Sequence, residues 1–402
     1  MKKTTYKIYT LGCKVNQYDS AKLSSQIQSV GFELVKKNAD YAFVNTCAVT
    51  KKAITKDRAM IKRAQKENPD AKIILFGCFP KVYKEEAQKL DADYVFKTNE
   101  INKIIKTLAK DIKQQKALLS KDDRARYFIK IQDGCEQFCT YCIIPYARGK
   151  IKSRGEAEIL SEIKLAIKNG YKEIILSGIH LGLYGKGKNI NLTKLIKKII
   201  KLYGLGRLRL SSIEVGEVSD ELIKLMVKSE KICKHLHIPL QAGCDKILKL
   251  MNRPYSLKYY ENKIKKVKKF IPDIAISTDV IAGFPGETEK DFLETYNFIK
   301  KINFSRLHVF PFSLHEKTSA SKLPNKIDKT IKQVRAKKLR SLGKNLEKIY
   351  IDKLKNKKLE VIIENRRGKR KGKTEYYFDI KFKKSQIIYG EPKIRNLIKI
   401  QN

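Results

Sequence analysis

Three cysteines lie close together near the middle of the 402-residue sequence. Cys135, Cys139 and Cys142 form a Cys-x3-Cys-x2-Cys spacing in the segment IQDGCEQFCTYCIIPYARG. Thiolates on one short loop are soft ligands suited to an iron–sulfur cluster, and three of them leave one iron of a four-iron cluster open. A structural zinc site normally has a fourth Cys or His ligand nearby. The spacing therefore predicts a cluster with an open position; a zinc site or a chance arrangement is the alternative.

A second set of cysteines is dispersed along the first part of the chain. Cys13 (TLGCKVN), Cys47 (VNTCAVT) and Cys78 (LFGCFP) each follow a predicted strand. Carboxyl ends of parallel strands share one edge of a sheet, where ligands gather. We expect these three thiols to meet there and to bind a second cluster; buried packing cysteines are the alternative. Cys233 and Cys244 lack such spacing and are predicted to be packing residues.

The elements that must position these residues indicate an α/β fold. Apolar runs KIYTLG, YAFVNTC, KIILFGC and YVFKT alternate with amphipathic helical stretches, which predicts a flavodoxin-like parallel sheet over residues 1–115. A polar helix end and linker is expected at Lys110–Arg126.

Six further strand-like runs separated by helical patterns predict a partial (β/α)6 barrel over 124–342, with its chemistry at the carboxyl ends of the strands. The runs are YFIKIQ, EIILSGI, RLRLSSIE, HLHIPLQ, AISTDVIAGF and RLHVFPFS.

The remaining residues, 343–402, are predicted to form a small β-barrel. A basic helix over Asp328–Leu354 leads into the strand-like runs LEVIIE, YYFDIKF and IIYG, with RRGKRKGK expected as a break between strands. Residues 345–402 contain 17 basic and 7 acidic residues, a balance of +10 that suits a nucleic-acid backbone.

The whole chain is strongly basic, with 87 Lys and Arg against 42 Asp and Glu and a formal net charge of +45. This charge attracts polyanions such as RNA, although a genome-wide preference for Lys would produce the same excess. No apolar run approaches the roughly 18 residues of a membrane span, and Met1–Thr10 lacks the apolar core of a signal peptide. We expect a cytoplasmic protein without membrane association.

Several long motifs resemble the radical-SAM methylthiotransferase family across nearly the whole chain. They are TLGCKVNQYDS, VNTCAVT, GCFP, IQDGCEQFCTYCIIPYARGKIKSR, LSSIEV, HLHIPLQAG, MNRPY and DVIAGFPGETE. The resemblance implies two [4Fe–4S] clusters, one on each cysteine trio, with S-adenosyl-L-methionine bound at the Cys135 loop and a TRAM-like RNA-binding module at the end. It further implies insertion of a CH3S group into an unreactive C–H bond.

Within that family, TLGCKVNQY and IQDGC are most similar to the branch that modifies N6-threonylcarbamoyladenosine beside the tRNA anticodon. The same chemistry on isopentenyladenosine or on a ribosomal-protein aspartate, and a non-catalytic Fe–S RNA-binding protein, remain alternatives. The implied partners are the tRNA anticodon stem-loop, a low-potential electron donor such as flavodoxin or ferredoxin, and a sulfur donor.

The resemblance also implies residues around the cofactor, for each of which an ordinary structural role is the alternative. They are Tyr141, Ser177, Gly178, Glu214, Gln241, Asp279 and Gly283. The five histidines show no metal spacing, and His235 and His237 are predicted to be structural.

The chain departs from the family pattern in three places. VFKTNE stands where relatives have a glycine-containing turn, and His315 and Lys317 stand where an Arg and a Gly are expected. We therefore expect a contact near the active site to differ from that of relatives. The tail is rich in Lys, which obscures a TRAM-specific pattern.

Overall fold

The computed structural model describes residues 3–108, 125–366, 369–380 and 397–401, without side-chain detail at 365–370 and 397–401. These residues form two compact units. The first comprises the described residues up to 108 with Asp133–Ile151 and Leu314–Thr318; the second comprises the described residues of Asp123–Gln132, Lys152–Ser313 and those from Ser319 onward. The described part of the chain has no helix both long and apolar enough to cross a membrane.

The first unit is built on a five-stranded parallel sheet in the order β2-β1-β3-β4-β5. This order is that of flavodoxin-like folds, as predicted, although the two-residue strand β2 was not anticipated from the sequence. The strands are β1 (Thr5–Thr10), β2 (Glu33–Leu34), β3 (Tyr41–Thr46), β4 (Lys72–Gly77) and β5 (Tyr94–Val95).

Helices cover both faces of this sheet, so the central strands are buried on both sides. Tyr6, Phe43 and Phe76 belong to the core on one face, and Val44 and Leu75 to the core on the other. The helices of this unit are α1 (Lys14–Ser29), α2 (Lys51–Glu67), α3 (Cys78–Val82), α4 (Lys84–Gln88), α5 (Ile101–Leu108) and α6 (Ile144–Arg148).

The second unit contains the six predicted barrel strands. They are β6 (Arg126–Lys130), β9 (Glu173–Ser177), β10 (Arg207–Leu210), β11 (His235–His237), β12 (Ala275–Ala282) and β13 (Arg306–Pro311). They form two parallel three-stranded sheets, β10-β9-β6 and β11-β12-β13, and isolated bridges such as Ser212 to His237 continue the series between them. Two-residue strands β7 (Gln132–Asp133) and β8 (Lys152–Ser153) flank the cysteine segment in sequence.

Helices follow most of the barrel strands, as the sequence predicted. They are α7 (Glu156–Lys168), α8 (Leu192–Ile199), α9 (Asp220–Lys228), α10 (Asp245–Leu250), α11 (Leu257–Phe270), α12 (Glu289–Ile302) and α13 (Lys329–Lys353). Short 3-10 turns occur at Leu181–Leu183, Val215–Glu217 and Ser319–Lys322. The basic helix α13 is continuous across residue 342, where the sequence suggested a domain boundary.

The C-terminal residues form an antiparallel sheet in the order β16-β15-β14-β17. Its strands are β14 (Lys358–Arg366), β15 (Lys369–Thr374), β16 (Asp379–Ile380) and β17 (Leu397–Gln401). The expected break RRGKRKGK was wrong in part, because Lys369–Thr374 pairs along β14 from Val361 to Arg366. Pairing to a neighbour outweighs the low strand propensity of Lys and Gly. The predicted strand IIYG and most of the predicted linker lie outside the described residues.

Candidate functional site

The three dispersed cysteines meet at one edge of the first sheet. Cys13 follows β1, Cys47 follows β3 and Cys78 begins α3 directly after β4, and these strands are neighbours. Asn16 Oδ1 lies 3.6 Å from Cys13 Sγ and 4.0 Å from Cys78 Sγ. A Cβ built on Gly12 would lie 3.0 Å from Cys47 Cβ. The expected gathering at the strand ends is therefore present.

Gly77 makes the sharp turn that presents Cys78. Its φ is +111°, and a Cβ at this position would lie 2.6 Å from Asn45 Oδ1 and from Thr46 O. Only glycine avoids both the backbone strain and the clash. The sequence LFGC thus converts a buried strand directly into a helix that starts at the candidate ligand.

Burial leaves two of these thiols poorly suited to carry charge by themselves. Cys47 is 6% exposed and Cys78 is 2% exposed. Burial raises the pKa of Cys47 to about 12 and that of Cys78 to about 11, the latter against the opposing charge of Arg148. Metal ligation requires thiolates, and a bound cation supplies the charge that stabilises them. The donor set therefore fits an iron–sulfur cluster.

Asp57 supports the backbone at Cys47. Its carboxylate is fully buried and accepts the Cys47 N–H at 3.2 and 3.1 Å. Burial raises the pKa of Asp57 to about 8. A buried carboxylate in α2 thus fixes the first peptide after β3.

Arg148 connects this edge with the segment that carries the second trio. Its side chain is 1% exposed and lies 2.8 Å from Asp19 Oδ2 and 3.1 Å from Asp133 Oδ2, and it donates to Asn16 Oδ1 at 2.6 Å. Although burial opposes the charge, Cys78, Asp19 and Asp133 raise the pKa of Arg148. Arg148 is therefore a buried, paired arginine.

The Cys135–Cys142 segment packs within the first unit, although the sequence grouped it with the barrel. Cys135 N donates to Gly149 O at 3.0 Å, and Cys142 N donates to Cys139 O at 2.9 Å, so the loop closes on itself. Helix α6, which follows it, shares an apolar cluster with the Cys47 and Cys78 segments, formed by Ala48, Cys78, Val82, Ile143 and Ala147. Both trios, with the half-buried Tyr141, therefore belong to one compact unit.

Ser177 and Gly178 end the second barrel strand, as predicted. Ser177 is 1% exposed, and its hydroxyl has no hydrogen-bond partner among the described residues. A Cβ on Gly178 would lie 3.0 Å from Gln132 Oε1, which accepts the backbone N–H of His180 at 2.8 Å. An orphaned buried hydroxyl at a strand end fits the expected cofactor contact.

Glu214 and Gln241 were expected to end the next two barrel strands, but they lie in the segments that follow β10 and β11, and both are already engaged by the protein. The Glu214 carboxylate pairs with Arg253 and caps the following turn. The backbone of Gln241, at a φ of +66°, bridges to β12 through Asp279 O at 2.8 Å. Of these two residues, Glu214 is the less available to a ligand.

Asp279 forms a cluster with two histidines that the sequence did not connect. Asp279 Oδ2 lies 3.2 Å from His237 Nε2, and Asp279 Oδ1 lies 3.2 Å from His308 Nδ1. Despite its burial, these histidines lower the pKa of Asp279. The sequence showed no metal spacing among the histidines, yet this trio places its donor atoms within 4.8 Å of one another, because β11, β12 and β13 are neighbours. His235 bonds Ser277 at 2.9 Å, consistent with a structural role.

Gly283 lies in a turn after β12. Its φ is +74°, its N–H donates to both Glu287 carboxylate oxygens at 3.1 Å, and a Cβ there would lie 2.2 Å from Lys332 Cγ. The observed contacts explain this glycine by backbone geometry, which is the structural alternative that the sequence left open.

Sequence reasoning missed the polar residues that support the cysteines. Asn16, Asp19, Asp57 and Thr98 are each buried. Thr98, in the divergent segment VFKTNE, donates to Ala147 O at 2.9 Å. The available signal was the spacing in CKVNQYD, since Asn16 and Asp19 are three residues apart at the start of α1 and therefore neighbour each other on the helix surface.

Comparison with known proteins shows which protein families the chain matches. Residues 129–299 match the Radical SAM superfamily model and residues 5–97 match uncharacterized protein family UPF0004. The chain is 36% identical to the threonylcarbamoyladenosine tRNA methylthiotransferase MtaB of Bacillus subtilis, covering 96% of this chain and 92% of that protein. It is 35% identical to a tRNA-2-methylthio-N(6)-dimethylallyladenosine synthase of Thermoanaerobacter, covering 89% and 82%.

Among solved structures, the radical S-adenosylmethionine methyltransferase TsrM of Kitasatospora setae is similar with a TM-score of 0.61. It is 13% identical and covers 80% of this chain and 77% of that one, which supports the fold alone. Fold and cysteine pattern define a radical-SAM iron–sulfur enzyme. By its relatives, the chain belongs to the tRNA methylthiotransferase family, whose cofactors are two [4Fe–4S] clusters and S-adenosyl-L-methionine.

Proposed function

We propose that this protein converts N6-threonylcarbamoyladenosine beside the tRNA anticodon to its 2-methylthio derivative. The observation that carries the proposal is the gathering of Cys13, Cys47 and Cys78 at one sheet edge, in the same compact unit as the Cys135 loop. A radical-SAM enzyme with a single cluster has no need of this second trio. Sulfur insertion does, because the sulfur must be held near the activated carbon.

Each trio is assigned one cluster, and the Cys135, Cys139 and Cys142 set is assigned the cluster with S-adenosyl-L-methionine. When bound, these cofactors supply the one-electron C–H activation and the sulfur-handling centre that the reaction requires. The protein positions and charges the site. Arg148, buried beside Cys13 and Cys78, offsets the negative charge that ligating thiolates bring.

The barrel strand ends are assigned to cofactor and substrate contacts. Ser177 offers a buried hydroxyl with open hydrogen-bonding capacity, and Gly178 allows the side chain of Gln132 to approach closely. Asp279, held ionised by His237 and His308, is suited to accept hydrogen bonds from ribose or adenine. Tyr141, Glu214, Gln241 and Gly283 remain candidate contacts.

The partners follow from the proposed reaction. The basic residues of 343–402 are assigned to the tRNA anticodon stem-loop, where 18 positive charges against 7 negative ones favour phosphate contacts. A cytoplasmic location, a flavodoxin or ferredoxin as electron donor and a separate sulfur donor complete the proposal. The functional modules are assigned to 1–115, 124–342 and 343–402.

Nucleoside mass spectrometry tests the function. A strain lacking the gene should lose 2-methylthio-N6-threonylcarbamoyladenosine and regain it with the wild-type gene, but not with Cys47→Ala or Cys139→Ala. Loss of the dimethylallyladenosine derivative instead would identify the activity of the Thermoanaerobacter relative. An unchanged tRNA profile would contradict the proposal and direct attention to a ribosomal-protein aspartate. Failure of the reconstituted protein to cleave S-adenosyl-L-methionine would favour a non-catalytic RNA-binding protein.

A further inference from the structure

His315 lies in the Leu314–Thr318 segment, which packs within the first unit. It is 1% exposed. Its Nδ1 lies 2.9 Å from the Tyr83 hydroxyl and its Nε2 lies 2.9 Å from Val49 O. A carbonyl only accepts, so Nε2 carries the hydrogen, and Nδ1 accepts from Tyr83. One neutral tautomer satisfies both contacts.

The Val49 contact leads to Cys47. Val49 lies two residues after Cys47, and its backbone N–H hydrogen-bonds the Cys47 sulfur, which lowers the pKa against the effect of burial. Because His315 holds the carbonyl of Val49, it restrains the residue whose N–H is directed at that sulfur. Hydrogen bonds to ligand sulfurs orient the ligand and tune the metal.

The Tyr83 contact leads to Cys78. Tyr83 directly follows α3, which begins at Cys78 and has only five residues. A helix this short is not stable alone. Lys317 donates a hydrogen bond to the carbonyl oxygen of Val82, the last residue of α3. His315 forms a hydrogen bond with the hydroxyl of Tyr83, the next residue. The segment therefore restrains the carboxyl end of the helix that presents Cys78.

We propose that His315 is a positioning residue that fastens the Cys47 and Cys78 segments to each other, so that both sulfurs are held in place for the N-terminal cluster. This inference rests on the proposed function only in assigning a cluster to Cys13, Cys47 and Cys78. It also explains the departure at His315 and Lys317. Both side chains contact the protein's own backbone and Tyr83, which is a use other than substrate recognition.

Iron retention tests the proposal on the full-length chain. With Cys135, Cys139 and Cys142 replaced by Ala, reconstituted protein holds a cluster only at the N-terminal trio, and its iron can be drawn into a chelator. His315→Phe keeps a ring and removes both hydrogen bonds. We expect iron to be released roughly tenfold faster, the combined net effect of the two lost hydrogen bonds on a local opening.

Two conservative variants separate the two contacts. His315→Gln places an amide near the Nε2 position and keeps the donor to Val49, whereas His315→Asn keeps the acceptor for Tyr83. In the apo chain, alkylation followed by peptide mass spectrometry should show Cys47 reacting faster in the Asn variant and Cys78 reacting faster in the Gln variant. Buried Cys233 of the other unit is the internal reference.

Tyrosine variants provide the matched control. Tyr83→Phe should resemble the Gln variant, while Tyr350→Phe, which removes a partly buried hydroxyl bond to Asp273 O in the second unit, should leave Cys47 and Cys78 unchanged. The proposal would be overturned if His315→Phe released iron at the wild-type rate, or if Cys47 and Cys78 were labelled equally in the Asn and Gln variants. If the N-terminal trio of the otherwise wild-type chain takes up no iron, the proposed function is contradicted instead. The labelling of Cys47 and Cys78 in the apo chain then still tests the positioning role of His315.

Discussion

Two buried arginine networks, one in each unit, use the same physics for different ends. In the second unit, Arg207 and Arg209 both donate to Glu173, which is fully buried, at 2.7 Å. In the first unit, Arg148 pairs with Asp19 and Asp133 beside the cysteine edge. Each network keeps charge away from water, which is tolerable only with close partners.

The partners differ in whether their charge can change. The remaining donors of Arg207 and Arg209 go to backbone carbonyls of the C-terminal residues, at Glu360, Lys373, Thr374 and Glu375. These are fixed acceptors, so the network anchors the C-terminal sheet to the barrel strands. Arg148 instead lies beside Cys13 and Cys78, which become anionic when they bind metal. Its charge is therefore matched to the loaded site.

Breaking the Glu173 network of the second unit should have the largest effect on stability. Glu173→Gln removes the carboxylate that two buried guanidiniums share, and breaking a buried ion pair costs about 3–5 kcal/mol. We expect a loss of this size in the free energy of unfolding, measured by urea denaturation of the full chain. Glu86→Gln, whose pairing with Arg58 is half-exposed, should change nothing measurable. An equal effect of both variants would refute the assigned difference.

Breaking the Arg148 network of the first unit should destabilise the apo protein less than breaking the Glu173 network does. Its effect on the protein with the cluster bound should be larger than its effect on the apo protein. Arg148→Met keeps the apolar volume but leaves Asp19 buried without its cation, at a cost of about 3 kcal/mol. The N-terminal cluster should also shift to a more negative reduction potential, because the reduced state gains an electron without a nearby positive charge. Redox titration monitored by electron paramagnetic resonance measures this. An unchanged potential would show that Arg148 is only structural.

The turn at Gly77 gives a third, smaller test of the cysteine edge. Gly77→Ala forces a side chain into a glycine-only conformation and against Thr46 O, at a cost of about 1–3 kcal/mol. Gly187→Ala is the control, because Gly187 also has positive φ but nothing within 4 Å of its Cβ position. Iron uptake at the N-terminal trio should fall in the first variant alone. Equal uptake would mean that the turn does not position Cys78.

Much of this molecule was predictable from local pattern. The alternation of apolar runs and helices gave the flavodoxin-like sheet and the six barrel strands, and the position of each cysteine after a strand gave their gathering. Pairings between distant segments were not predictable. The approach of Arg148 to Asp19, or of His308 to Asp279, depends on strand order and side-chain direction, which one sequence does not specify. The strand at Lys369–Thr374 was missed because its partner, rather than its own propensity, determines it.

Thr98 allows the smallest test of the cysteine edge and addresses one of the departures from the family pattern, the segment VFKTNE. Its buried hydroxyl donates to Ala147 O at 2.9 Å, and Gly77 O lies 3.3 Å away, so it joins the residue before Cys78 to helix α6. Thr98→Val keeps the shape and should cost about 1 kcal/mol in unfolding free energy. Thr107→Val is the control, since that hydroxyl is exposed and bonds only within its own helix. If Thr98→Val matches Thr107→Val in stability and also leaves the labelling of Cys78 unchanged, then VFKTNE contributes no restraint. The cysteine edge would then depend on Arg148, Gly77 and the His315 contacts without help from VFKTNE.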